Sequence, residues 1–241
     1  MRRSKLQASG GGHRDRRRIA ALTVLAVTAA VAAPGRAAAA TPKQAIVAEA
    51  RVAAVAVYRT PHAKRPVLTL RNPNGHGARL VFLVKSRRAG WERVYLPMRP
   101  NGSTGWIRDR QVDLAADPYR VTVSLHSRHL TVTKAGRTFL SAPVGVGKSV
   151  TKTPTGTYFV VELLEQTNPS GVYGPFAFGL SAYSNVLYSF GGGPGQIGLH
   201  GTNEPGALGT DVSHGCIRVA NTTITRLARV LPLGTPVIIQ A

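Results

Sequence analysis

Apolar residues in this chain fall into short runs cut by proline, glycine and asparagine, and that punctuation limits what it can become. In residues 51–115 the runs 52–58, 67–70, 80–84, 93–96 and 105–107 are separated by turns such as Asn72-Pro73-Asn74-Gly75 and Arg99-Pro100-Asn101-Gly102. Short runs bounded in this way read as β-strands. Beyond Pro118 the same grammar continues. Val121, Val123 and Leu125 alternate with Thr122 and Ser124, and Leu130, Val132, Phe139-Leu140, 158–163 and 186–190 supply further strands. One stretch alone is firmly helical: Asn221 stands where a cap belongs, Ile224, Leu227, Ala228 and Leu231 share a face, and Pro232 and Gly234 stop it. Residues 236–239 then close as a strand. The expected fold is mainly β, with a small barrel over 41–116 and a mostly antiparallel sandwich over 117–241, carrying one helix behind the cysteine loop.

Cys216 is the single cysteine among 241 residues. A lone thiol forms no disulfide within its own chain and builds no multi-cysteine zinc site. It is either a buried apolar group or a nucleophile, and its neighbours in Ser213-His214-Gly215-Cys216-Ile217-Arg218 are polar and cationic. Such surroundings are expected to favour the thiolate. Gly215 permits a tight turn, and the N–H groups of Gly215 and Cys216 are placed to hold an oxyanion. Two imidazoles compete for the proton traffic. His214 is near in sequence but need not point at the thiol, whereas His200, followed by Gly201, comes from another strand and is free to be aimed. If the chain is extended after Cys216, Arg218 shares its face and can hold a substrate carboxylate. Ser213 belongs to the same loop, and Tyr183, upstream of the run Gly191 to Gly195, is read as a substrate contact. Asp211 and Glu204 are the nearest acids and read as solvated turn residues.

His200-Gly201 followed by Ser213-His214-Gly215-Cys216-Ile217-Arg218 resembles the signature of the L,D-transpeptidase (YkuD-type) family. The likeness extends through Gly145-Val146-Gly147, Thr153-Pro154-Thr155-Gly156 and Tyr173-Gly174-Pro175. It implies a β-sandwich catalytic domain acting on peptidoglycan stem peptides. Cys216 would attack the carbonyl of the third stem residue, expel D-alanine and hold a thioester, and His200 would carry the proton. His214 would shape the loop. An amine of a neighbouring stem would take the acyl group; water as acceptor would make a carboxypeptidase. Some family members carry asparagine where this chain has Arg218. The loops from Thr167 to Tyr183 are expected to cover the site and limit hydrolysis. Trp91 and the Gly105-Trp106-Ile107 segment resemble the closing strands of bacterial SH3-like domains, and Trp91, Trp106 and Tyr95 either line a groove or fill the core.

The first forty residues have the layout of a signal peptide, with arginines before an apolar run (residues 19–33), a Pro34-Gly35 break and Ala38-Ala39-Ala40. As a helix the run reaches about 22 Å, short of the roughly 30 Å of bilayer hydrocarbon. Export by the general or the twin-arginine route and a retained anchor stay open, and the destination is the wall or a periplasm-like envelope space. The leader carries eight of the 31 basic residues and one of the ten acidic ones, so the remainder is still strongly basic. A field of that sign favours anionic wall polymers. No zinc-finger spacing or aromatic basic groove supports nucleic acid. Gly147-Lys148-Ser149 imitates the end of a P-loop, but Ala142 stands where its first glycine belongs and Pro154 follows where a helix should run, so no nucleotide is expected. No metal or organic cofactor is expected. A wall-binding protein with an inactive catalytic domain is the competing class.

Overall fold

Strand-forming runs dominate as expected, and the order in which they pair explains where the cleft lies. The computed structural model describes residues 44–241. The leader expected over residues 1–40 lies outside the described residues. Seven strands come first: β1 (Ala45–Ala50), β2 (Ala54–Val57), β3 (Leu68–Arg71), β4 (Val81–Arg88), β5 (Trp91–Tyr95), β6 (Thr104–Arg108) and β7 (Val112–Asp117). Five form an antiparallel sheet in the order β6-β5-β4-β1-β7, while β2 and β3 make a hairpin tied to β6 by a bridge between Tyr58 and Trp106. Val55, Val57, Phe82, Val94 and Ile107 are its core. Trp91 and Trp106 are buried outside that cluster, Trp91 against Tyr58 and the Arg108 guanidinium and Trp106 beneath Arg88. Strands β1 and β7 escape the sequence pattern because their alanine-rich runs carry few β-branched residues.

The remaining elements are β8 (Tyr119–Ser124), β9 (His129–Lys134), β10 (Arg137–Pro143), β11 (Val146–Gly147), β12 (Gly156–Glu165), β13 (Phe176–Tyr183), β14 (Gln196–His200), β15 (Asp211–Ser213), β16 (Ile217–Arg218), the helix α1 (Asn221–Ala228) and β17 (Pro236–Gln240). Eight strands form one sheet in the order β10-β9-β8-β17-β12-β13-β14-β16. Strand β12 changes partner midway, from β17 to β13, with a register shift between Val160 and Glu162. The sheet curls there, and its two halves enclose one core containing Val121, Val132, Leu180, Leu199 and the helix residues Ile224 and Leu227. Each such fully buried side chain contributes about 1.5–3 kcal/mol. The expected sandwich is thus one curled sheet, and it is mixed, because β8–β17 and β14–β16 run parallel.

Three local expectations need correction. Residues 186–190 are no strand. Arg99 donates to the carbonyls of Ser184 and Leu187 and the Ser184 hydroxyl accepts from the N–H of Val186 and Leu187, which occupies the backbone a strand would pair. The strand of this region is β13, so Phe176 to Tyr183 belongs to the sheet and not to covering loops. Asn221 is the first helical residue and not the cap, for its Oδ1 accepts the Thr202 N–H at 2.8 Å.

The two sheets touch along a seam. Leu83 of β4 packs with Phe159 and Val161 of β12, joined by Tyr95. Beside that apolar strip the loop from Pro97 to Asn101 reaches over β13. The Asn101 amide donates to the Tyr183 carbonyl at 2.7 Å and accepts its N–H at 2.9 Å.

Candidate active site

The end of β14 and the loop before β16 build the site. The parallel pairing of β14 with β16 sets Leu199 beside Ile217 and His200 beside Arg218. Ile217 and Val219 are buried. Alternation therefore turns Cys216 and Arg218 to the other face, where both line a cleft of about 230 Å³.

The loop is held by buried hydroxyls. The Ser213 hydroxyl donates to the Cys216 carbonyl at 2.6 Å and accepts the Gly215 N–H at 3.0 Å. Thr153 donates to the Gly215 carbonyl at 2.8 Å and accepts the Gly147 N–H at 2.9 Å, and Thr151 donates to the Ser213 carbonyl. Gly215 itself has φ of +123°, a conformation that L side chains rarely adopt. The Gly145-Val146-Gly147 segment closes the back, since the N–H groups of Gly145 and Arg218 each donate to the other's carbonyl.

The His200 ring is fixed by its own chain. Its Nδ1 lies 2.6 Å from the Gly201 carbonyl. Nδ1 donates there, which leaves Nε2 as the free nitrogen. A Cβ at residue 198 would sit 3.6 Å from His200 Cδ2 and 3.8 Å from Cys216 Sγ, so imidazole and sulfur converge above Gly198. The Gly198 N–H donates to Sγ at 3.3 Å. On the far side the Tyr173 ring stands edge-on to the imidazole, with centroids 4.9 Å apart.

Residues 118–239, half of this chain, match the model of the YkuD family, the L,D-transpeptidase catalytic domain. The chain belongs to that family. It is 36% identical over 123 residues to YkuD of Bacillus subtilis (strain 168), covering 51% of this chain and 66% of that protein. It is 38% identical over 120 residues to YkuD of Bacillus licheniformis, covering 50% and 64%. The chain thus matches just under two thirds of the length of either relative. Among solved structures, L,D-transpeptidase 3 of Mycobacterium tuberculosis aligns with a TM-score of 0.44 at 16% identity, over 63% of this chain and 79% of that one.

Burial sets the protonation of the pair in this L,D-transpeptidase domain. Desolvation pushes the His200 pKa down to about 4; the Gly201 carbonyl opposes that fall and the Arg218 charge adds to it. The Cys216 thiol is pushed up by burial, and the Gly198 N–H and Arg218 offset only part of the rise. The resting pair is neutral thiol with neutral imidazole. The polar neighbours do favour the thiolate as expected, through Arg218 and the Gly198 N–H, but burial opposes them more strongly.

Other residues move from their expected roles. The Gly215 N–H is taken by Ser213 and leaves the expected oxyanion pair, and Ser213 braces the loop with its hydroxyl fully engaged. Gly201 lies behind His200; a side chain there would collide with Asn221 Oδ1 at 2.3 Å. Tyr183 does not line the Cys216 cleft. Its hydroxyl donates to the Pro97 carbonyl at 3.1 Å, inside the seam. His214 is exposed at the rim, stacked on Phe190 with centroids 5.0 Å apart. Glu204 pairs with Arg218 at 2.7 Å and Asp211 with Arg128 at 2.7 Å, so neither acid orients His200. Thr153 and Tyr173 stand inside the sequence motifs, which do not disclose these positions, and Thr151, Phe190 and Gly198 lie outside them. The polar-apolar alternation of Gln196, Gly198 and His200 along β14 was the signal for Gly198. Among the described residues no cluster of His, Cys, Asp or Glu could hold a metal ion.

Proposed function

We propose that this protein is a secreted peptidoglycan L,D-transpeptidase that works through a Cys216 thioester. The convergence of Cys216 Sγ and the His200 imidazole above Gly198 is the observation that carries this reading. The substrate is a tetrapeptide stem. Cys216 Sγ attacks the carbonyl of the third residue while its proton passes to His200 Nε2. The C–S bond forms, the C–N bond to D-alanine breaks, and the imidazolium returns the proton to the departing amine. An amine of a second stem then attacks the thioester, loses its proton to His200 and displaces the thiol, giving a 3-3 cross-link.

A neutral imidazole suits the first step, because only the unprotonated ring accepts the thiol proton. The Cys216 N–H, alone of the expected pair, serves the oxyanion. Arg218 lines the cleft and its Nε is buried without a hydrogen-bond partner, which fits a role in holding the carboxylate of the terminal D-alanine. His214 and Phe190 form the rim over which the stem enters. Export follows from the leader pattern, and the basic surface suits anionic wall polymers. Residues 41–116 act as an SH3-like module that stays docked on the catalytic sheet.

The experiment is mass spectrometry of the protein incubated with disaccharide-tetrapeptide, with Cys216→Ala in parallel. A dimer formed with loss of one D-alanine, absent in the variant, is the expected result. Tripeptide alone would replace the transpeptidase by a carboxypeptidase, and unchanged substrate would favour a binding protein.

A further inference from the structure

A second polar centre lies along the sheet from the thiol, at the other end of a groove that runs from Cys216, and the proposed chemistry does not use it. Strand pairing puts Glu162 opposite Gly179 and Gly179 opposite Gly198, and the Gly198 N–H reaches Cys216 Sγ. Glu162, Gly179, Gly198 and Cys216 therefore form one row across β12, β13, β14 and the cysteine loop. All four line a continuous groove of about 260 Å³, together with His76 and Gln196.

The row is built to hold a carboxylate over a flat floor. A Cβ at Gly179 would stand 2.3 Å from Glu162 Oε1 and 2.9 Å from Gln196 Nε2, so only glycine lets the side chain of Glu162 lie down across β13. Glu162 has a side-chain exposure of 3%. Its Oε2 is paired with the His76 imidazole, which comes from the turn between β3 and β4 in the N-terminal half. Its Oε1 has only a long contact from Gln196 Nε2 at 3.3 Å. A buried carboxylate accepts about four hydrogen bonds, and one left short of donors attracts a cation.

We infer that Glu162 Oε1 receives the side-chain ammonium of the stem residue whose carbonyl is acylated by Cys216, with Gly179 and Gly198 as the floor beneath that side chain. The inference rests on the transpeptidase reading and adds what that site selects. The distances agree. Neighbouring strands lie about 4.8 Å apart, so Oε1 above Gly179 and Sγ above Gly198 are separated by roughly 5–10 Å. An extended side chain of the lysine or diaminopimelate type spans about 7 Å from its carbonyl carbon to its terminal nitrogen, at ~1.5 Å per bond along a zigzag. The floor admits that chain because neither glycine puts a side chain in its way. An acceptor amine must instead reach the thioester itself, so it is the donor stem that the carboxylate reads. His76 acts as a positioning residue, fixing the carboxylate through Oε2 and leaving Oε1 turned to the groove.

The test is single-turnover release of D-alanine, which precedes any acceptor, from a disaccharide-tetrapeptide with a free side-chain amine at its third residue and from the same stem acetylated there. Wild type is expected to prefer the free amine by about tenfold or more, the effect of a hydrogen bond to a charged group. Glu162→Gln should bring the two rates together while retaining turnover of the acetylated stem, and His76→Ala, on an exposed side chain, should lower the preference part way. A preference that survives intact in Glu162→Gln overturns the subsite. If that variant does not fold, wild type decides alone, since equal rates on the two stems overturn it as well. Wild type that releases D-alanine from neither stem removes the transpeptidase reading itself, and the subsite with it.

Discussion

The two walls of the Cys216 cleft are held by different means. The cysteine loop is fixed by residues of its own motif and of the neighbouring Thr151 and Thr153, through hydroxyl-to-carbonyl bonds in a buried setting. The opposite wall, residues 184–195, is held from the other sheet. Arg99 donates to the carbonyls of Ser184, Leu187 and Pro194 at 2.7–3.0 Å, and its guanidinium lies 4.8 Å from the ring centres of both Tyr183 and Tyr188. The three carbonyls are 85 to 95 residues from Arg99 in sequence. The cysteine loop is thus held from within its own sheet region, by Thr151 and Thr153 at 62 residues' remove, whereas the shape of the opposite wall depends on a loop of the other sheet.

Changes on the chemical wall should have the largest effects. His200→Ala is expected to slow acylation by about 100-fold or more, the usual worth of a positioned acid-base group. Wild-type rates in that variant, followed by thioester mass, would take His200 out of the mechanism. Titration of the same group gives the next largest effect. With its pKa held near 4, His200 stays neutral through ordinary acidic pH, so the acylation rate should fall only as pH drops through about 4. A limb near 6.5 would mean that the folded protein does not desolvate the ring. Stability follows the same sign: the unfolded chain takes up this proton between about pH 6.5 and 4 while the folded chain refuses it, so stability is lost as pH falls through that window.

The distant wall should respond more weakly and in a different parameter. Arg99→Ala is expected to reduce kcat/KM for the stem about tenfold, through misplacement of residues 184–195. Alkylation of Cys216 by iodoacetamide should stay at the wild-type rate. Equal losses in both assays would show that the two walls are one unit and abolish the contrast. Thr153→Val tests the near wall structurally. It removes a donor to Gly215 and an acceptor for Gly147, costing about 2 kcal/mol by leaving buried groups unpaired. The urea midpoint should drop accordingly, and an unchanged midpoint would mean that the loop does not need this tie. Smallest is His214→Ala, which removes the stack on Phe190, worth about 1 kcal/mol. Acylation should persist at a reduced rate.

The same contrast governs what could be read from the chain. Cys216, His200 and Arg218 were legible because their residue types and spacing announce chemistry, and α1 was legible because Ile224 and Leu227 keep a helical period. Partnership across the sheet was not. That β14 lies between β13 and β16 is decided by the packing of the whole domain, and no local pattern announces that Gly179 and Gly198 stand in one row. Tyr183 looked like a ligand contact from its place near the glycine run, but β13 carries it into the seam. Residues 186–190 look like a strand by composition, yet Val186 and Tyr188 are exposed because Arg99 claims the carbonyls nearby. At Cys216 the neighbouring charge is visible in sequence, whereas the burial that opposes it is not.

The grip of Arg99 and Asn101 on the far wall also bears on inheritance. A recombination event that cut this chain at the foot of β7 would carry Cys216 and His200 away whole and leave behind the residues that hold the second side of their cleft. The Pro97 to Asn101 loop and the segment it clasps therefore form a unit of exchange that crosses the boundary suggested by the family match. A chimaera that respects that unit should keep its selectivity, and one that divides it should retain a reactive thiol with a poorly shaped entrance.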